Sequence, residues 1–286
     1  MLGQASAADT GRLAGPGTAL FRERARSRRV PARRGALRRD EGLCAAGLAI
    51  IVLAGLAFVL SAAAGSVFLV PSGVEQFPGW LAGPLPDLGG SLPRLVEIGL
   101  VVAMGVGWAM VLRSRALLGR STVAAIGLVH LLLLAGPPVF STDVFGYLAF
   151  GRLGELYGLS PYSHAVGAIA VDPVNIYLSS VWPTDLSSPY GPLFLLLTYG
   201  LVPYGLTAGL WGMKVVATAA ALGSVGLVAR TAERLELDPV RAAAFVGLNP
   251  LWLTWVVGGA HNDLPMVLLA VAGIGLMVAG RERVSG

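Results

Sequence analysis

Three places in this chain hold the residue types from which a site could be built. Asp143 follows Ser141 and Thr142, directly beyond an apolar run that closes at Pro137-Pro138. His261-Asn262-Asp263 interrupts an otherwise uncharged stretch, residues 242–280. Lys214 lies alone within a third apolar run. Ionisable groups are tolerated in such surroundings mainly where they face a cavity, a partner or a ligand. The Lys214 ammonium can pair with a lipid phosphate, and Asp143 can share one site with the His-Asn-Asp corner if both lie at the same membrane face. Each group also has a plainer role. Asp143 can begin a helix capped by Ser141 or Thr142. The corner can be a polar turn, bent at Gly258-Gly259, that caps the next helix, and Lys214 can snorkel to the interface. One histidine and one aspartate two residues apart supply too few ligands for a self-contained metal site.

The stretch PPVFSTDVFGYLAFGRLGELYGLSPYSHAVGAIAVDPVNIYLSSVWPTDLSSPYGP, residues 137–192, gathers acids, tyrosines, a histidine and prolines between apolar runs. Irregular backbone and charge cannot face hydrocarbon, so a membrane protein with one long polar segment is expected to keep its chemistry there. Apolar residues at 144, 145, 148, 149 and 153 predict an amphipathic helix on the membrane surface, starting near Asp143. Tyr157, Tyr162, Trp182 and Tyr190 fit an aromatic belt. Pro161-Tyr162 and Pro189-Tyr190-Gly191-Pro192 stiffen the backbone, which suits a shaped groove as well as a plain loop. Arg152 and Glu155, three apart, can pair on one helix face. His130, inside an apolar run, reads as a buried, satisfied histidine.

Of the 286 residues, 55% are hydrophobic and 13% charged, and mean hydropathy is +0.72. Soluble domains carry about a quarter charged residues, so this chain is expected to be an all-α, polytopic membrane protein. A crossing needs about 20 apolar residues. Six spans follow, near 43–64, 95–112, 121–139, 206–229, 242–258 and 264–280, with Glu97 close enough to an end to snorkel outward. Residues 191–204 are apolar but short and interrupted by Pro203, and read as a re-entrant half-helix. Residues 1–42 hold ten arginines against four acids and read as a disordered basic cytoplasmic tail. Residues 43–286 form the membrane domain, with the polar loop at 140–190. With the N-terminus inside, six crossings put 18 of the 21 basic residues on the inner side. Asp143 and the His261 corner then share the extracytoplasmic face.

Several classes are excluded. Cys44, the single cysteine, rules out an internal disulfide and a cysteine-based zinc cluster. The apolar run after Gly42 is too long for a cleaved signal. There is no P-loop, dinucleotide fingerprint, HExxH or GxSxG. No convincing inverted repeat of the transporter kind occurs. Aromatics do not interleave the basic tail, so nucleic acid is not an expected partner.

Taken together, PPVFSTDVFGYLAFGRLGELYGLSPY, Asp172-Pro173, SSPYGPLF at 187–194 and NPLWLTWVVGGAHND at 249–263 agree in order and spacing with one family. They resemble the polyprenol-phosphate-mannose-dependent α-1,6-mannosyltransferases, integral membrane enzymes of the GT-C type active in lipomannan assembly. The resemblance implies a GT-C-like fold and inverting transfer of mannose from a polyprenyl phosphate mannose donor to a lipoglycan or mannan acceptor, at a membrane lipid surface. By the same resemblance Asp143 would be the general base that deprotonates an acceptor hydroxyl, or the group that orients it. The leaving group is already a phosphodiester, so positioning and a positive charge on the phosphate would carry most of the catalysis. Lys214 would supply that charge where similar enzymes tend to carry arginine, a change that is not conservative for bidentate binding. His261, Asn262 and Asp263 would line the sugar pocket and Tyr190 to Pro192 its wall, with Tyr162 and Arg152 completing the substrate face. No cofactor is fixed by the resemblance, and a divalent metal stays open as one. Full members of that family continue through several more spans, so the chain is expected to lack the C-terminal ones. Two other readings are carried: a GT-C transferase of arabinose or glucose, differing around His261, and a truncated, non-catalytic membrane protein that would tolerate Asp143→Asn.

Overall fold

A computed structural model describes the backbone of residues 16–70, 78–85, 90–178 and 184–285, with side chains described between 35 and 280 only, 36 and 37 excepted. Among the described residues there is no strand. The helices are α1 (Pro16–Ala63), α2 (Gly79–Ala82), α3 (Arg94–Arg113), α4 (Gly119–Ala135), α5 (Asp143–Glu155), α6 (Pro192–Leu201), α7 (Leu206–Arg234), α8 (Pro239–Gly247) and α9 (Asp263–Ser285). Four stretches are long and apolar enough to cross a membrane: Arg38–Ala63, Arg94–Arg113, Leu206–Arg234 and Asp263–Gly280. Of the tail expected over 1–42, residues 1–15 lie outside the described residues. From Pro16 the backbone is helical and continuous with the first span, in keeping with the arginine, alanine and leucine that fill it.

Two of the six expected spans take other forms. The run expected at 121–139 is the 17-residue α4, stopped at Gly136-Pro137-Pro138 because proline has no N–H to continue the ladder. The run expected at 242–258 is broken in the middle. α8 begins at Asp238, whose Oδ1 accepts the Val240 and Arg241 N–H groups at 2.9 and 3.1 Å. It ends before Asn249-Pro250, and a π-helical segment, Trp252–Val257, follows. The Asn249 side chain recaps that segment by accepting the N–H of Leu251 at 2.9 Å and of Trp252 at 3.3 Å. The half-helix expected at 191–204 is present as α6 plus a 3₁₀ turn over Val202–Tyr204.

α1 and α3 meet at two glycines. A Cβ on Gly47 would stand 2.6 Å from the Gly107 carbonyl oxygen, and one on Gly107 would stand 2.7 Å from the Gly47 carbonyl oxygen. Small residues let spanning helices approach this closely, where packing rather than water drives association. Glu97, expected to snorkel, is instead buried between them, and Oε1 accepts the Ser61 hydroxyl at 2.6 Å. A partner hydroxyl facing it from α1 offsets part of the cost of burial, while Oε2 is buried without a hydrogen-bond partner among the described residues.

The bundle is tied at both ends. At one end the Ser114 hydroxyl donates to the Asp40 carbonyl at 2.8 Å, and the Arg241 guanidinium donates to the carbonyls of Leu112 and Ser114. At the other, Phe140 N–H donates to the Leu69 carbonyl at 2.7 Å and Val139 N–H to the Gly258 carbonyl at 3.1 Å. α5 sits at this second end, and it is not the surface helix expected from its stripe. Residues 144–151 and Leu153 are all buried. The face without large apolar side chains is made of glycines, which admit α6: a Cβ on Gly151 would meet Thr198 at 2.8 Å, and one on Gly154 would overlap the Tyr199 ring.

Candidate active site

Asp143 is delivered to its position by the segment between α4 and α5. The extended residues after the two prolines are held by the Val139 and Phe140 hydrogen bonds, and Phe140 turns the chain with φ +63°. The Ser141 hydroxyl then accepts the Asp143 N–H at 3.0 Å. Asp143 is the first residue of α5, near the positive end of the helix. His261 arrives from the opposite direction. The π-helical segment ends at Gly258-Gly259, Ala260 adopts φ +53°, and the His261 N–H donates to the Val256 carbonyl at 3.1 Å.

These two routes bring Asp143 Oδ2 to 3.5 Å from His261 Nδ1. The Asp143 side chain is 35% exposed and that of His261 10%, so a ligand reaches the carboxylate more readily than the ring. The His261 ring lies flat against Trp255 (centroids 6.2 Å apart, 13° between planes), and Trp255 stacks on Phe140 at 5.9 Å. His261 Nε2 is buried and has no hydrogen-bond partner among the described residues.

Tyr147 stands four residues after Asp143, and so on the same face of α5. Its hydroxyl donates to Asn262 Oδ1 at 3.1 Å, and the Asn262 N–H reaches the Tyr147 oxygen at 3.5 Å. Its ring meets those of Tyr190 and Phe194 edge-on, each at 5.1 Å. Burial pushes the Tyr190 hydroxyl up to about 12, helped by the carboxylates of Asp143 and Asp263. Burial, the Tyr190 hydroxyl and the same two carboxylates raise the Tyr147 hydroxyl as well. Both phenols therefore stay neutral donors near pH 7. Pro192 opens α6 immediately beyond Tyr190.

Asp143 thus meets His261, Asn262 and Asp263 as the spacing suggested, Tyr190 lies beside them as the resemblance implied, and Tyr147 joins them. Tyr147 was legible only through its interval from Asp143. Tyr162 lies one layer out: its hydroxyl donates to the Tyr190 carbonyl at 3.1 Å. Arg152 is not at the site. It pairs with Asp172 rather than with Glu155, Nε lying 2.8 and 3.0 Å from the two carboxylate oxygens. Asp172 also accepts the Val174 N–H at 2.9 Å and the Tyr157 hydroxyl at 2.9 Å. Burial alone would raise the Asp172 carboxyl, but the bonds from Arg152, Val174 and Tyr157 and the Arg152 charge outweigh it and hold it below its ordinary value. Tyr157 is a structural donor here, and Trp182 lies outside the described residues.

Lys214 is buried in α7, about two turns from its start. Its ammonium donates to the Pro137 carbonyl at 3.4 Å and lies 5.9 Å from the Trp211 ring centroid. It touches the segment that leads to Asp143, not Asp143 itself. Among the described residues no group of three or more His, Cys, Asp and Glu stands close enough to hold a metal ion.

Residues 50–286 match the family described as alpha-(1->6)-mannopyranosyltransferase, N-terminal domain. The chain is 37% identical over 155 residues to the alpha-(1->6)-mannopyranosyltransferase A of Mycobacterium tuberculosis, covering 52% of this chain and 29% of that protein. It is 32% identical over 199 residues to a probable alpha-(1->6)-mannopyranosyltransferase of Mycolicibacterium smegmatis, covering 63% of this chain and 32% of that one. The matched part spans about a third of the length of these curated relatives. No solved structure matches.

Proposed function

Because the chain belongs to the alpha-(1->6)-mannopyranosyltransferase family, by the N-terminal domain matched over residues 50–286, we infer that it serves mannosyl transfer at a membrane surface. The donor is polyprenyl phosphate mannose, and the acceptor is a hydroxyl of a growing α-1,6-mannan or lipomannan on the extracytoplasmic face. The observation that carries this reading is the convergence of Asp143 with His261 and Asn262 beside Tyr147 and Tyr190, from segments more than a hundred residues apart.

Asp143 is the general base. As the acceptor oxygen attacks the anomeric carbon, its proton passes to the carboxylate. The bond from that carbon to the phosphate oxygen breaks, and the electron pair leaves with polyprenyl phosphate. A single displacement inverts the anomeric centre. The leaving group is a phosphate and needs no proton, so placement of the acceptor supplies much of the rate. Asn262, Asp263, Tyr190 and Pro192 border the sugar. Lys214 balances charge on the phosphate side through the segment that starts at Pro137. The excess of lysine and arginine in the loops of the opposite face supports the outward orientation.

The test is donor choice. Membranes carrying the chain are given polyprenyl phosphate bearing labelled mannose, arabinose or glucose. Label entering lipoglycan from the mannose donor alone supports the reading, and transfer from either other sugar in its place overturns it.

A further inference from the structure

The His261 ring holds one nitrogen toward Asp143 and buries the other. Nδ1 is 3.5 Å from Asp143 Oδ2. On the far side the ring lies against bare backbone: a Cβ on Gly259 would stand 2.6 Å from Cδ2 and 2.7 Å from Nε2. The slot between Trp255 and Gly259 therefore admits the imidazole only because residue 259 has no side chain. Nε2 sits inside that slot, buried and without a hydrogen-bond partner among the described residues, so it cannot serve a sugar hydroxyl. A proton on Nε2 would be buried without an acceptor and would leave two lone pairs facing each other at Asp143. A proton on Nδ1 instead points a donor at the Asp143 carboxylate 3.5 Å away, and Nε2 is left as a buried lone pair.

We propose that His261 is a positioning residue for Asp143, and not a sugar contact. Its Nδ1–H engages Oδ2 and leaves the other carboxylate oxygen to the acceptor hydroxyl. This rests on the reading of Asp143 as general base. The two groups are registered to each other by shared packing. Trp255, which fixes the ring, also stacks on Phe140, three residues before Asp143. The Val139–Gly258 bond joins the same two segments.

The imidazole nitrogens can be separated by side chain. The asparagine amide nitrogen occupies the place of Nδ1, and that of glutamine the place of Nε2. Donor-saturated transfer is measured for membranes carrying His261→Ala, His261→Asn, His261→Gln and Asp143→Asn at matched protein level and matched thermal midpoint. The expected result for His261→Ala is a kcat lower by about 10²-fold, with KM for donor and acceptor within about twofold. His261→Asn should recover about tenfold or more of that loss and His261→Gln none. Recovery by glutamine instead of asparagine, or a raised KM at unchanged kcat in His261→Ala, overturns the proposal. Should His261→Ala fail to fold, the comparison of asparagine with glutamine decides alone. Loss of transfer in Asp143→Asn with full kcat in His261→Ala sinks only the positioning role. Full transfer in Asp143→Asn sinks the general-base reading beneath it.

Discussion

The Val139 N–H meets the Gly258 carbonyl at 3.1 Å, and this bond joins the two segments that carry Asp143 and His261. Gly258 has no room for more. A Cβ there would meet Val139 Cγ2 at 2.5 Å and overlap the Thr254 carbonyl oxygen. Gly258→Ala should cost about 1–3 kcal/mol through overpacking. It should also lower transfer by separating Asp143 from His261. Thermal unfolding in detergent and the transfer rate check it; an unchanged midpoint would mean that the contact yields easily.

The Arg152–Asp172 pair is a structural clasp between α5 and the loop that follows it. Arg152→Ala leaves a buried carboxylate without its charge partner, and the expected loss is about 3–5 kcal/mol. Asp172 in the fold titrates below its ordinary value. Its contribution is therefore complete at neutral pH, declines as pH falls through the usual carboxylate range, and is gone below the depressed value. Melting curves of the wild type and Asp172→Asn should converge as pH drops, and a gap independent of pH would contradict the assignment.

Tyr147→Phe removes the hydroxyl that holds Asn262 while keeping the ring among Tyr190 and Phe194. A hydrogen bond of this kind is worth about 1 kcal/mol. The donor KM should rise about fivefold, and the melting midpoint should fall by a few degrees. A fall in kcat at constant KM would instead place Tyr147 in the chemical step.

Lys214→Met separates stability from binding. Replacing a buried charge by an apolar side chain of similar length is often neutral or stabilising, so the melting midpoint should hold or rise. Because the ammonium acts on the donor side only through the Pro137 carbonyl, donor KM should rise about fivefold, the equivalent of one net hydrogen bond of about 1 kcal/mol. Unchanged KM would remove Lys214 from the substrate machinery.

Much of this arrangement was legible in the chain. Long apolar runs marked the spans, and the uneven lysine and arginine placed Asp143 and the His261 corner at one end. What escaped depended on contacts between distant residues. Glu97 reads as a snorkelling acid until Ser61, 36 positions away, faces it from α1. The face of α5 at Gly151 and Gly154 carries no apolar signal, yet those glycines are what let α6 cover it. The expectation of one span over 242–258 averaged across Asn249-Pro250, where the structure breaks the run. Asp172-Pro173 stood out only as one block of the resemblance, and nothing local showed that its carboxylate would take Arg152 away from the site.

The most direct test is labelled mannose transfer from polyprenyl phosphate mannose to lipoglycan by membranes carrying Asp143→Asn, beside wild type at equal protein level. With Asp143 as general base, transfer should fall by about 10³-fold, within the range of a lost proton acceptor. Transfer at the wild-type rate would contradict it.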